Sequence, residues 1–236
     1  MTSRSRTEPS TSFDPAAIRA VIFDFDGTLA ETDIDFALMR QRVLEVAERW
    51  KLAERLNQRR YILEIVDDAL ELLSAEDDRE RFRAETAKAM SDVELIFTSV
   101  AAPFPGVLEM LDNLRSCGHR VGIITRNCRV GVESVFSRHP MHHEVLLTRD
   151  DVARVKPDPA HLHEALDALG VAPDESLMVG DHITDIEVGK AAGTWTAGVL
   201  TAQTTREEFE EMGADLILTS AAELTELLCG SEGEEA

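Results

Sequence analysis

An α/β fold is predicted for this chain of 236 residues: a mostly parallel, Rossmann-like sheet with helices on both faces, plus an inserted α-helical block. Three observations predict it. Two short apolar, β-favouring runs, over 20–24 and 176–181, read as buried strands, and each ends in an aspartate. From residue 107 onward, helix-spaced and strand-like segments alternate, the mark of repeated parallel βα units. Between them, residues 30–102 contain no Gly or Pro and space their apolar residues as amphipathic helices do.

The elements follow in order. After the first strand, Phe36, Met39, Val43, Val46 and Trp50 mark one helix face. Ile62, Ile65, Val66, Ala69, Leu70 and Leu73 mark a second, and 79–97 gives a third, less regular helix. No strand is predicted in this block. Pro103-Phe104-Pro105-Gly106 closes it as a boundary. A helix over 107–117 stops at Gly118, a strand runs over 120–125, and a helix over 130–137 precedes a short strand over 144–147. Pro157 and Pro159 argue against regular structure before a helix over 161–169. Beyond the strand at 176–181 come a helix over 185–192, a strand over 195–200, a helix over 205–212, a strand over 216–218 and a closing helix over 222–228. The expected organisation is a disordered leader over 1–12, an α/β core from 13–29 and 103–230, a helical lid over 30–102 and an acidic tail over 231–236.

Composition narrows the function. A hydrophobic fraction of 44% supports a buried core. The formal net charge of -21 repels phosphate backbones, so no nucleic-acid partner is expected, and no apolar run is long enough for a membrane span. An anionic substrate would need a local positive centre, for which a metal ion is a candidate. Cys117, Cys128 and Cys229 show no CxxC or metal-ligand spacing, so free thiols in a reducing cytoplasm are expected, with Cys128 a small space-filling residue. His161 and His163 are two apart on a helix and diverge rather than chelate. Arg40, Arg42, Arg59 and Arg60 are available to an anionic substrate, though exposed helix faces commonly carry such residues.

The polar residues at strand ends carry the chemistry. Asp24 and Asp26 are two apart at a strand end, so both can face one site, and two such charges need a cation or a proton between them. Thr125-Arg126-Asn127, Lys156, and Asp181 with Asp185 fall at or beyond other strand ends. A parallel sheet brings all four clusters to one edge, where ligands of such sheets bind.

Asp24-Phe25-Asp26-Gly27-Thr28-Leu29, Thr125, Lys156-Pro157 and Gly180-Asp181-His182-Ile183-Thr184-Asp185 resemble, in order, the four motifs of the haloacid dehalogenase-like (HAD) hydrolase superfamily. The helical insert is similar to the C1-type cap of its phosphoglycolate-phosphatase-like members. The resemblance implies a phosphomonoester hydrolase acting on a small phosphorylated metabolite through an aspartyl-phosphate. It implies Asp24 as nucleophile, Asp26 as proton donor and acceptor, and Mg²⁺ held by Asp24, the backbone carbonyl of Asp26 and Asp181. Asp185 would act through water or Lys156. A Lys156 ammonium suits neutralisation of nucleophile and phosphate, and Thr125 with the Arg126 N–H suits phosphate oxygens. The Arg126 side chain and Asn127 face either substrate or solvent, and the role of His182, where relatives often carry Ser or Thr, is open. The alternatives are a sugar-phosphate mutase of the same superfamily and a non-catalytic phospho-ligand-binding module.

Overall fold

The computed structural model describes residues 13–230, and the predicted leader and tail lie outside the described residues. In chain order, β1 (Ala20–Phe23) and β2 (Ala30–Glu31) precede three helices, α1 (Phe36–Arg49), α2 (Ile62–Glu71) and α3 (Glu76–Thr98). After β3 (Ala102–Pro103), helices and strands alternate: α4 (Val107–Ser116), β4 (Arg120–Ile124), α5 (Arg129–Phe136), β5 (Val145–Leu147), α6 (Pro159–Leu169) and β6 (Ser176–Gly180). The chain continues through α7 (Ile183–Ala192), β7 (Trp195–Val199), α8 (Arg206–Met212), β8 (Leu216–Leu218) and α9 (Leu224–Cys229).

Every residue of β1 is buried, and alternation sends its side chains to two cores. Val21 and Phe23 join Met110, Leu111 and Leu114 on one face; Ala20 and Ile22 join Leu162, Leu166 and Val188 on the other. A strand covered on both faces requires an unbroken apolar run, which Ala20–Phe23 is. The main sheet has the order β5-β4-β1-β6-β7-β8 and is parallel throughout. Phe23 lies between Ile123 and Val179 in the register, so β1, β4 and β6 end level with one another. The chain moves outward from β1 to β4 and β5, then returns to the other side of β1 for β6. That reversal opens a crevice at the carboxyl ends of these three strands.

The helical insert has an apolar cluster of its own. Met39, Val43 and Val46 of α1, Ile65 of α2, and Phe82 and Val93 of α3 converge there. Trp50 meets the Phe82 ring edge-on at 5.7 Å. The last turn of α3 is tied to the sheet side by Arg138, which donates to the carbonyls of Thr98 at 2.5 Å and Ala101 at 3.0 Å. A second tie is the buried pair of Arg149 and Glu94, with Nη2 to Oε2 at 2.7 Å.

Four expectations are corrected. The insert holds strand after all: β2 and β3 pair antiparallel where its two ends meet, and two residues each are too few for alternation to show. α6 begins at Pro159, not 161, because a proline in the first turn lacks only an N–H that has no helical partner there. α7 begins at Ile183, not 185, because the His182 ring caps it by accepting the Thr184 N–H at 3.2 Å. Cys117 and Cys229 are joined as a disulfide rather than free, with Cα atoms 5.8 Å apart. Packing of α9 against α4 brings together cysteines 112 residues apart, a pairing that spacing in sequence cannot reveal. Cys128 remains an unpaired, buried thiol.

Phe82 is fully buried within the apolar cluster of the insert, so its truncation leaves a cavity there. Phe82→Ala is expected to cost about 3–5 kcal/mol in a urea unfolding experiment. A loss below about 1 kcal/mol would show that the cluster does not hold the insert together.

Candidate active site

The chain leaves β1 at Phe23, and Asp24 begins the loop with its N–H still donating to Val179 of β6 at 2.8 Å. Its Oδ1 accepts the Phe25 N–H at 2.6 Å and lies 2.6 Å from Lys156 Nζ. The loop then turns at Gly27, whose φ of +77° suits glycine; a Cβ there would sit 2.5 Å from Asp181 Oδ2. Thr28, fully buried, donates its hydroxyl to Asp181 Oδ1 at 2.8 Å. The first loop and the end of β6 are thereby fastened to each other.

Asp181 and Asp185 lie on either side of the start of α7. Gly180 permits this, since a Cβ on it would stand 2.1 Å from the Asp185 carboxyl carbon. Asp185 is fully buried, and its Oδ2 accepts the His182 N–H at 3.1 Å. Its Oδ1 accepts from Lys156 Nζ at 2.7 Å. Lys156 is thus a buried ammonium gripped by two carboxylates. Burial alone would lower its pKa; Asp185 and Asp24 outweigh that and hold it above the ordinary lysine value.

Asp26 is held elsewhere. Thr125 Oγ1 donates to its Oδ2 at 3.1 Å, and Asn127 Nδ2 donates to its Oδ1 at 2.8 Å. Asn127 is itself fixed, its Oδ1 accepting the Cys128 N–H at 2.8 Å. The Cys128 thiol is pushed up to about 11 by burial and by Glu94, so it stays protonated and serves to cap α5 through the Gly131 N–H.

Burial, partly offset by Lys156 and reinforced by Asp185, raises the Asp24 carboxyl to about 6. Burial and then Asp24 raise Asp26 to about 6 as well. Asp181 is raised well above the carboxylate range by burial and by its neighbours Asp24 and Asp185. Asp24, Asp181 and Asp185 each offer a carboxylate oxygen within 4.8 Å of the others. These crowded, desolvated carboxylates are a hard, all-oxygen donor set, and a divalent cation such as Mg²⁺ would relieve their repulsion. The residues therefore fit that ion. The Asp26 side chain is outside the carboxylate cluster, and its carbonyl accepts no hydrogen bond among the described residues.

Asp24, Asp26, Thr125, Arg126, Asn127, Lys156 and Asp181 all line one cavity of about 630 Å³, with Asp185 behind Lys156. Of the insert arginines, Arg40 lines it too. Arg42 pairs instead with Glu45, and Arg60 with Glu64 and Asp68. Tyr61, Glu94, Arg149 and Thr201 also line the cavity, and no motif in the sequence marked them. The Thr201 hydroxyl donates to the Gly27 carbonyl, tying the loop after β7 to the turn.

The chain is similar to known proteins in sequence and in fold. Residues 21–199 match the family described as haloacid dehalogenase-like hydrolase. Pyrophosphatase PpaX of Bacillus cereus (strain AH820) is 30% identical over 213 residues, covering 89% of this chain and 96% of that protein. The structure of CbbY from Rhodobacter sphaeroides in complex with phosphate superposes with a TM-score of 0.62 at 25% identity, covering 88% of this chain and 96% of that one. A predicted phosphoglycolate phosphatase from Haemophilus somnus 129pt shares the fold, with a TM-score of 0.61 at 18% identity over 89% of this chain and 98% of its own.

One residue that the sequence marks only as unable to chelate has a supporting role. His161 is fully buried in the first turn of α6; its Nδ1 accepts the Lys156 N–H at 3.2 Å, so Nε2 carries the proton and donates to the Leu147 carbonyl at 3.1 Å. It clamps the loop that presents Lys156. Burial, with help from the Lys156 charge, lowers its pKa from 6.5 to about 4. The folded value lies below the unfolded one, so the unfolded chain takes up the proton first as pH falls. The stabilising contribution is complete above about pH 6.5 and lost toward pH 4, about 3 kcal/mol in all. Urea midpoints of wild type and His161→Gln are therefore expected to converge as pH is lowered through this window. A difference independent of pH would refute the neutral clamp.

Proposed function

The chain belongs to the haloacid dehalogenase-like hydrolases, and on that premise we propose that it is a Mg²⁺-dependent phosphomonoesterase of small phosphorylated metabolites, working through an aspartyl-phosphate. The observation that carries this reading is the separate handling of two carboxylates. Lys156 holds Asp24 at 2.6 Å, while Thr125 and Asn127 hold Asp26, whose pKa is raised to about 6. Both carboxyls are raised to about 6, and the partners tell them apart: Asp24 faces an ammonium that favours its charged form, while Asp26 faces neutral donors and is left to exchange a proton.

In this mechanism Asp24 Oδ2, which accepts no hydrogen bond among the described residues, forms a bond to phosphorus as the bond to the leaving oxygen breaks. Asp26 gives that oxygen its proton. It then takes a proton from water, which attacks phosphorus and frees Asp24 and phosphate. Asp24, Asp181 and the Asp26 carbonyl would hold the metal ion, which supplies charge neutralisation around the phosphoryl group. Lys156, anchored by Asp185, screens the approach of carboxylate to phosphate. Thr125 and the Arg126 N–H suit the phosphate oxygens, and Asn127 orients Asp26.

We also propose that residues 30–102 form a lid on a core of 13–29 and 103–230, a division supported by the separate apolar cluster of α1–α3. A net charge of -21 supports a partner that is a small molecule rather than nucleic acid. Among the described residues no helix is long and apolar enough to cross a membrane. A cytoplasmic placement suits the substrate class, although the Cys117–Cys229 disulfide withdraws the free-thiol argument for it. Phosphoglycolate and pyrophosphate, from the names of relatives, are the first substrates to try.

Purified protein is expected to hydrolyse p-nitrophenyl phosphate with Mg²⁺ and to stop when the metal is chelated. Asp24→Asn should lower kcat by at least about 10³-fold, and Asp26→Asn by about 10²–10⁴-fold. Wild-type turnover by Asp24→Asn would sink the nucleophile assignment. A bisphosphate requirement with isomer formation would identify a mutase, and phosphate binding with no turnover a binding module.

A further inference from the structure

The cavity holds more positive charge than its reaction centre uses. Lys156 is neutralised by Asp24 and Asp185, and Arg149 by Glu94. Two arginines lining the cavity are different. Arg40 spends one nitrogen on backbone carbonyls, those of Gln58 at 2.7 Å and Arg60 at 2.6 Å, and meets no carboxylate among the described residues. The Arg126 guanidinium, half-buried, makes no hydrogen bond or ion pair among the described residues. In a chain with 45 acidic residues against 24 Lys and Arg, an unpaired guanidinium inside a cavity stands out.

Arg126 is nonetheless well positioned. The residues on either side, Thr125 and Asn127, both bind Asp26, and its own carbonyl accepts from Arg149 Nη1 at 3.0 Å. Its guanidinium lies over the Tyr61 ring, 5.2 Å from the centroid. Tyr61 heads α2 of the insert, and its ring also meets His182 edge-on at 6.2 Å, so it touches the sheet side at two points. Arg40 ties down the chain just before it. A guanidinium lying over a ring leaves its N–H fork free, and that fork matches the paired oxygens of a carboxylate or phosphate. The transferred phosphoryl group already has Thr125, Lys156 and the metal-binding carboxylates at its disposal.

We propose that Arg126, braced by Tyr61, is a specificity-determining residue that binds a second oxyanion on the leaving group, so that the enzyme selects phosphate esters or anhydrides carrying two anionic groups. The inference rests on the phosphatase reading above and deepens it. The second oxyanion is either a carboxylate or another phosphoryl group, and both offer Arg126 the same paired oxygens. Tyr61 is a positioning residue: it acts through Arg126 by fixing the plane of the guanidinium.

The test compares three substrates with Mg²⁺: ethyl phosphate, 2-phosphoglycolate and pyrophosphate. Wild-type kcat/KM is expected to favour at least one of the last two over ethyl phosphate by about tenfold or more, and the preferred one identifies the oxyanion. Arg126→Met should reduce that preference by about 10–100-fold, the range for a lost charge-assisted pair. Tyr61→Leu should raise KM for the preferred substrate more than it lowers kcat, and Tyr61→Phe, which keeps the ring, should restore it. A binding arm needs no turnover: calorimetry of wild type with Mg²⁺ should find 3-phosphonopropionate about tenfold tighter than propylphosphonate, and Arg126→Met should erase the difference. Equal kcat/KM for the three substrates, or a preference unchanged in Arg126→Met, overturns the inference while leaving the phosphatase reading intact. Selective phosphonate binding without hydrolysis of any ester does the reverse.

Discussion

The ammonium of Lys156 is the constraint on which the crevice depends. It lies 2.6 Å from Asp24 and 2.7 Å from Asp185, with only 2% of its side chain exposed. Four carboxylates, Asp24, Asp26, Asp181 and Asp185, converge on the ends of β1 and β6, and burial drives the first three toward the neutral form. A single buried cation between two of them lets part of this charge persist in the folded chain. Breaking such a pair from one side leaves an uncompensated buried charge, typically costing about 3–5 kcal/mol. The surroundings of Lys156 reflect that demand: His161 holds its backbone, and Asp158 caps the helix that carries His161.

Around this centre the fold separates chemistry from selection. Every group in the proposed chemical steps comes from loops at the ends of β1, β4, β5 and β6, which a parallel register brings to one level. What a leaving group would meet comes from elsewhere. Tyr61 and Arg40 arrive from the insert, Thr201 from the loop after β7, and Glu94 from α3. Arg126 belongs to both sets, with a backbone fastened to the reaction centre and a side chain resting on Tyr61. Arg138 and Arg149 tie the sheet side to α3 and the residues just after it.

Much of this was legible in the residues themselves. The unbroken apolar runs of β1 and β6 follow from burial on both faces, and the helical spacing of α1 and α2 from burial on one face. Asp24, Asp26, Thr125, Lys156, Asp181 and Asp185 were marked because they fall at or beyond strand ends and in the order of the four motifs that the chain resembles. Tyr61 and His161 were not, because an aromatic or a histidine near a helix start is chemically ambiguous until its neighbours are known. The two-residue strands β2 and β3 escaped for want of length. The Cys117–Cys229 disulfide escaped because closure over 112 residues depends on how α4 and α9 pack.

By itself the amino-acid sequence determined the order of strands and helices, the all-helical character of the insert apart from its short ribbon, and the identity of the polar residues at the strand ends. These are local properties, set by hydrophobic period, turn residues and residue type within a few positions. Only the tertiary structure decided partnership. It put Lys156 between Asp24 and Asp185 rather than beside Asp26, gave Asp26 to Thr125 and Asn127, used His182 as a cap, and left Arg126 unpaired against Tyr61. Apart from the local His182 cap, each of those contacts joins segments separated by a loop or by most of the chain, and the energy that selects among them comes from desolvation and packing after the strands are in register.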